Sequence, residues 1–162
     1  MKSMIGKAAL ATVLALGASA ASAGVTVNYV NPENFSDLPF SPWHRQVVLE
    51  DLAGYFAQLG KDLPAGQELK VDVTNIDLAG RQRPGRGAKY PRFAQGGADW
   101  PVIELRYTLS ANGKVVDSGT AQLKDMAYLD HLDSGSNIDR LRFEKRMVQE
   151  WFNETILPKT FI

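Results

Sequence analysis

Residues 102–110 (VIELRYTLS) alternate apolar and polar side chains from Ile103 onward, and Ala111-Asn112-Gly113 turns the chain into a second run, residues 114–123. Neighbouring side chains on a strand point to opposite sides, so this pattern specifies a hairpin with one dry and one wet face. A dry sheet face must be covered, and that need constrains the rest of the chain. Ile103, Leu105, Tyr107 and Leu109 are predicted to face in; Glu104, Arg106 and Thr108 face out. Two registers compete. A two-residue Asn-Gly turn sets Leu105 opposite Thr120 and Ile103 opposite Gln122. A three-residue turn with Gly113 left-handed pairs Leu109 with Val115, Leu105 with Gly119 and Ile103 with Ala121. The second keeps Ser118, Thr120 and Gln122 on the wet face and is the expected register. It leaves Asp117 opposite Tyr107 on the dry face, without a reason in the sequence.

The cover comes from two amphipathic segments. Ser41-Pro42 is a helix start, with Ser41 as N-cap and Pro42 where its missing N–H costs nothing. Val48, Leu52, Tyr55, Phe56 and Leu59 then recur on one helical face, and Gly60 ends the helix. A second helix is predicted over residues 139–157, with Leu141, Val148, Trp151, Phe152, Thr155 and Ile156 as its apolar stripe. Ser136-Asn137-Ile138-Asp139 resembles its capping signal, and Pro158 is expected to stop it. Two further strands are read at residues 25–30 (VTVNYV) and 68–78 (ELKVDVTNIDL). In the latter, Leu69, Val71 and Val73 share one parity while Ile76 and Leu78 take the other. A bulge near Thr74-Asn75 would reunite them. The expected fold is α+β: a two-layer sandwich in which a mostly antiparallel four-stranded sheet carries two helices on one face, in the order β-α-β-β-β-α.

The first 23 residues read differently. Lys2 and Lys7 precede an apolar run at residues 8–18, and small residues at 18–23 offer a cleavage site before Gly24. This is the pattern of a secretory signal peptide. The run is too short to span a bilayer comfortably. The expected mature protein is therefore a single domain, residues 24–162, periplasmic or secreted, with no transmembrane segment.

Composition removes several chemistries. The chain has no cysteine, which excludes thiol catalysis, redox exchange and cysteine-ligated zinc. Its two histidines, His44 and His131, cannot build a multi-histidine metal centre. Eighteen basic residues balance eighteen acidic ones, so nothing in the overall charge attracts nucleic acid. Gly-x-Ser-x-Gly, Walker and dinucleotide-binding patterns are absent. His44 stands in the first turn of the first helix, too far from Asp51 for a dyad. No catalytic residue and no cofactor is implied.

One segment concentrates charge. Residues 79–98 form a long Arg- and Gly-rich loop in which Arg81, Arg83, Arg86, Lys89 and Arg92 follow one another with no acidic residue between them. Arginine forks suit phosphate and carboxylate oxygens, and glycines let such ligands approach the backbone. Asp125, Asp130, His131, Asp133, Asn137 and Asp139 crowd a second connection. Oxygen-rich loops can hold calcium, but Gly135 stands where an EF-hand needs a side-chain oxygen. A capped helix start explains these residues equally well. Glu144 and Lys145 fall inside the apolar stripe of the last helix. A carboxylate against Trp151 would have a raised pKa; a pairing with a sheet arginine such as Arg106 is the expected structural use.

Four segments carry a family likeness: residues 72–80 (DVTNIDLAG), 100–107 (WPVIELRY) with the hairpin after them, 123–129 (LKDMAYL), and 141–152 (LRFEKRMVQEWF). Together they resemble a family of exported bacterial proteins known as domain of unknown function number three thousand and sixteen. The likeness implies no activity, cofactor or site residue. The function expected from the residues is that of a non-catalytic envelope binding or accessory protein. Its partner would be an anionic envelope component or an envelope protein, met through Arg81, Arg83, Arg86, Lys89 and Arg92. The alternatives are a subunit or homo-oligomeric assembly module, using an open sheet edge or the rim around Trp43 and Trp100, and a metal-dependent hydrolase built on the 125–139 connection.

Overall fold

The computed structural model describes residues 23–82, 92–131 and 139–161. Strand β1 (Gly24–Tyr29) leads through helix α1 (Pro42–Leu59) to strand β2 (Gln67–Asp77). A two-residue ribbon follows, β3 (Arg81–Gln82) against β4 (Arg92–Phe93). The hairpin β5 (Val102–Ala111) and β6 (Lys114–Lys124) precedes helix α2 (Arg142–Trp151). The main sheet has the order β1-β2-β5-β6; β1 runs parallel to β2, and the other two pairings are antiparallel. This is the α+β sandwich that the alternation requires, with a mixed edge.

The core lies between the inner sheet face and the helices. Leu69, Val71, Val73 and Ile76 of β2 and Ile103, Leu105 and Leu109 of β5 are 1% exposed or less. Leu52 and Phe56 of α1 and Val148 of α2 close on them, as does Phe152 just beyond α2. The β2 register shifts between Val73 and Asn75, which returns Ile76 to the inner face. Thr74 is the extra residue, and its hydroxyl donates to the Glu104 carbonyl at 3.2 Å. Parity within the strand had pointed to that bulge.

The hairpin register differs from expectation. Ala111 pairs with Lys114, so the turn has two residues, with Asn112 at φ 50° and Gly113 at φ 78°. A bulge then follows: Ser110 pairs with Val115 but Leu109 pairs with Asp117. Leu105 therefore meets Ala121, and Ile103 meets Leu123. The bulge restores the facing that the two-residue turn alone would invert, and Ser118, Thr120 and Gln122 stand opposite Thr108, Arg106 and Glu104. Asp117 gains its reason here. It accepts from the Tyr107 hydroxyl at 2.9 Å and pairs with the Lys159 ammonium from the C-terminal segment.

The last helix is also shorter than its apolar stripe suggests. After Trp151 the chain widens into a π turn (Phe152–Ile156) and then tightens into a 3-10 turn (Leu157–Phe161) that runs through Pro158. The widened turn lets both Phe152 and Ile156 stay fully buried. Leu141 occupies the N-cap without a side-chain cap; the expected capping residues 136–138 lie outside the described residues.

Candidate functional site

The two ends of the sheet are unlike. At one end sit the Asn112-Gly113 turn, the 3-10 turn after α1 and the C-terminal segment, whose Thr160 carbonyl accepts from Gln67 Nε2 at 2.8 Å. The other end gathers the N-terminus of α1, the β3–β4 ribbon, the connection after β6 and the N-terminus of α2. Three contacts define that gathering: the Asp37–Asp77 bridge, the Gly80 N–H to the Asp99 carbonyl at 2.9 Å, and the Ala79 N–H to Glu144 Oε1 at 2.7 Å.

Arg92 is the centre of this end. Its Nη2 donates to Asp37 Oδ2 at 2.5 Å, to the Leu78 carbonyl at 2.8 Å and to the Gly80 carbonyl at 2.7 Å. Its Nε donates to the Ala79 carbonyl at 3.0 Å. One guanidinium thus fixes three successive carbonyls of the strand exit and one carboxylate, a use of its rigid fork that lysine could not repeat. Gly80 allows the close approach. It has φ +72°, and a Cβ there would stand 2.6 Å from the Phe93 carbonyl oxygen.

Two acidic residues are buried behind Arg92. Asp99 accepts from the Gln95 N–H and from the Tyr128 hydroxyl, both at 2.8 Å. Tyr128 is 1% exposed and packs edge-on against Phe143, and burial raises its pKa, with Asp99 adding to the rise. Glu144 is 1% exposed as well. Its Oε1 takes the Ala79 N–H, while Oε2 is buried and meets no donor among the described residues. Burial pushes its carboxyl above the usual range, opposed by the Ala79 N–H and by the charge of Arg92. The expected pairing with Arg106 does not occur. Arg106 is exposed on the outer sheet face between Asp72 and Thr120, while Glu144 points to the inner layer, where the Ala79 N–H reaches it.

The other sequence-derived candidates divide clearly. Arg81 is exposed on β3, and Arg83, Arg86 and Lys89 lie outside the described residues. His131 Nδ1 lies 3.0 Å from Asp125 Oδ2, whereas Asp139 pairs with Lys145 at 2.9 Å. Asp133 and Asn137 lie outside the described residues. Among the described residues no three His, Asp or Glu side chains gather as a metal-binding group. His44 packs edge-on against Trp43, and Asp51 pairs with Lys145 at 2.8 Å. Sequence reasoning missed Asp37, Asp99 and Tyr128, because the Asp37–Arg92 and Asp99–Tyr128 pairs join residues distant in the chain and leave no local pattern.

This arrangement defines an α+β domain that carries its long polar connections at one end, around a clamped basic ribbon. The chain belongs to the protein family described as "Protein of unknown function (DUF3016)", whose model matches residues 23–154. No curated protein and no solved structure matches it. No helix among the described residues is long and apolar enough to cross a membrane.

Proposed function

We propose that this is an exported, non-catalytic binding protein of the cell envelope that grips an anionic component through the basic stretch between β2 and β5. The observation that carries the reading is the Arg92 clamp. β3 and β4 pair, so Gln82 and Arg92, the residues at the two ends of the intervening stretch, stand side by side. That stretch contains Arg83, Arg86 and Lys89, beside exposed Arg81. Arg92, with its donors committed to Asp37 and to carbonyls, holds the base; the other four supply the charge. The polar outer face of the sheet adds a shallow groove of about 360 Å³, lined by Thr74, Glu104, Arg106, Thr120 and Gln122 among others.

The test compares binding of heparin and of lipopolysaccharide by the wild type and by an Arg81→Ser/Arg83→Ser/Arg86→Ser variant that keeps Arg92. A fall of tenfold or more, on the order of 1.4 kcal/mol, is expected. Equal binding by both proteins would remove the proposal.

A second reading has one observation in its favour. β6 is an open sheet edge on which Val115 and Val116 are 64% and 49% exposed, as an assembly strand would be. Light scattering that shows a monomer at high concentration would dismiss it.

A further inference from the structure

Helix α1 is apolar on two opposite sides. Its buried residues, Leu49, Leu52, Phe56 and Leu59, fall within one sector of the helical wheel. Trp43 and Val47 fall about 180° away, at i and i+4. Trp43 is 69% exposed and Val47 44%. Phe40, three residues before Trp43 and just ahead of the N-cap, is 68% exposed. Further along the same outward sector the helix turns polar or small, with Glu50 and Gly54 both exposed. The apolar surface is therefore confined to the tip of α1.

That tip lies at the end of the molecule that bears the basic ribbon. Asp37, which Arg92 holds, is three residues from Phe40, and the Pro39 carbonyl accepts from Arg45 Nε at 3.4 Å. Exposed Phe93 follows Arg92 directly. We infer that Phe40, Trp43 and Val47 form a docking tip for an anionic lipid surface. The inference rests on the anion-binding reading above and gives it a source, lipid headgroups in a bilayer.

Three observations select a bilayer over another protein. The three side chains offer about 350 Å² of apolar surface, against roughly 800 Å² per partner in a stable complex. The patch ends after two helical turns, so it suits a tip that enters a surface rather than a face that lies along a partner. Its composition, an exposed indole and an exposed phenyl on the end of the molecule that carries exposed Arg81, matches the interfacial zone, where aromatic rings sit at headgroup level and cations meet phosphates.

Trp43 is also the reporter, because Trp151 is buried at 6% exposure and Trp100 is half-buried. The mature chain is mixed with vesicles of phosphatidylcholine alone or with phosphatidylglycerol, and both sedimentation and tryptophan emission are followed. Sedimentation with the anionic vesicles and a blue shift are expected. A Phe40→Ser/Trp43→Ser variant should unfold like the wild type and lose about tenfold in partitioning. Failure of the wild type to sediment, or equal sedimentation by the variant, overturns the inference. If heparin binding survives while vesicle binding is absent, the lipid surface falls and the anion-binding reading stands. Vesicle binding that ignores lipid charge and the arginine variant would sink the anion reading and leave the apolar tip. A dimer that the double variant dissociates would replace the bilayer with a second copy.

Discussion

The two ends of the sheet close the same four strands by different means. At the turn end the backbone does it. Asn112 and Gly113 adopt positive φ, and the Asn112 N–H donates to the Gly66 carbonyl at 2.8 Å. The charged group there, Asp117 with Lys159 and Tyr107, stays in contact with solvent, so its ion pair is screened. At the opposite end the chain is too long for backbone turns to hold it. Polar and acidic side chains take that task, and two of them, Asp99 and Glu144, are buried. Stability should therefore depend on charge strongly at one end and weakly at the other.

The largest effect is expected at Arg92. An Arg92→Met variant keeps the stem but leaves Asp37 and three carbonyls without their donor. Breaking a wholly buried pair costs about 3–5 kcal/mol. The Arg92 and Asp37 side chains are 18% and 31% exposed, and that water contact lowers the expected loss to about 2–3 kcal/mol. The urea midpoint should fall with an unchanged slope. A loss below about 0.5 kcal/mol, the size of an ordinary surface change, would erase the distinction between the ends.

Two glycines sharpen it. Gly80 and Gly113 have nearly the same backbone angle, φ +72° and +78°. A Cβ at Gly80 would stand 2.6 Å from the Phe93 carbonyl oxygen, whereas a Cβ at Gly113 meets nothing within 4 Å. Gly113→Ala carries only the left-handed penalty, about 1 kcal/mol. Gly80→Ala must also push the ribbon off the strand exit and should cost about 2–3 kcal/mol. Equal losses in parallel urea titrations would mean that the ribbon yields freely.

The same contrast explains what could be read in advance. Strand parity exposed the bulge at Thr74, because one misplaced residue reverses every later side chain. It could not separate two hairpin registers that differ by two residues, since both leave Ser118, Thr120 and Gln122 outside. The observed register uses a two-residue turn plus a bulge at Val116, a combination with the same facing as the simpler alternative. Asp117 sat unexplained on the inner face because Lys159, its partner, lies in a C-terminal turn beyond the predicted helix. Arg92 was legible as a cation but not as a clamp. Three of its four acceptor groups are backbone carbonyls, which every residue has.

The smallest predicted effect carries the opposite sign at the two ends. Burial raises the Glu144 carboxyl pKa in the folded chain, so the native state holds that proton more tightly than the unfolded one. Between the unfolded pKa, about 4.3, and the raised native value, the folded state binds more protons, and stability falls as pH rises. Glu144→Gln keeps an acceptor for the Ala79 N–H and removes the buried charge. It should raise Tm at pH 8 by about 3 °C and change little at pH 4. Asp117 behaves in reverse. The Lys159 hydrogen bond, with help from Tyr107, holds its pKa down. Its stabilisation is present above the unfolded pKa, about 3.9, and is lost as pH falls through the native value. Asp117→Asn should therefore lower Tm slightly at pH 8 and not at pH 2. Melting curves of both variants across that range would show two pH slopes of opposite sign. Slopes of the same sign would mean that Glu144 is not held as a buried carboxyl against the Ala79 N–H, and the electrostatic contrast between the ends would fail.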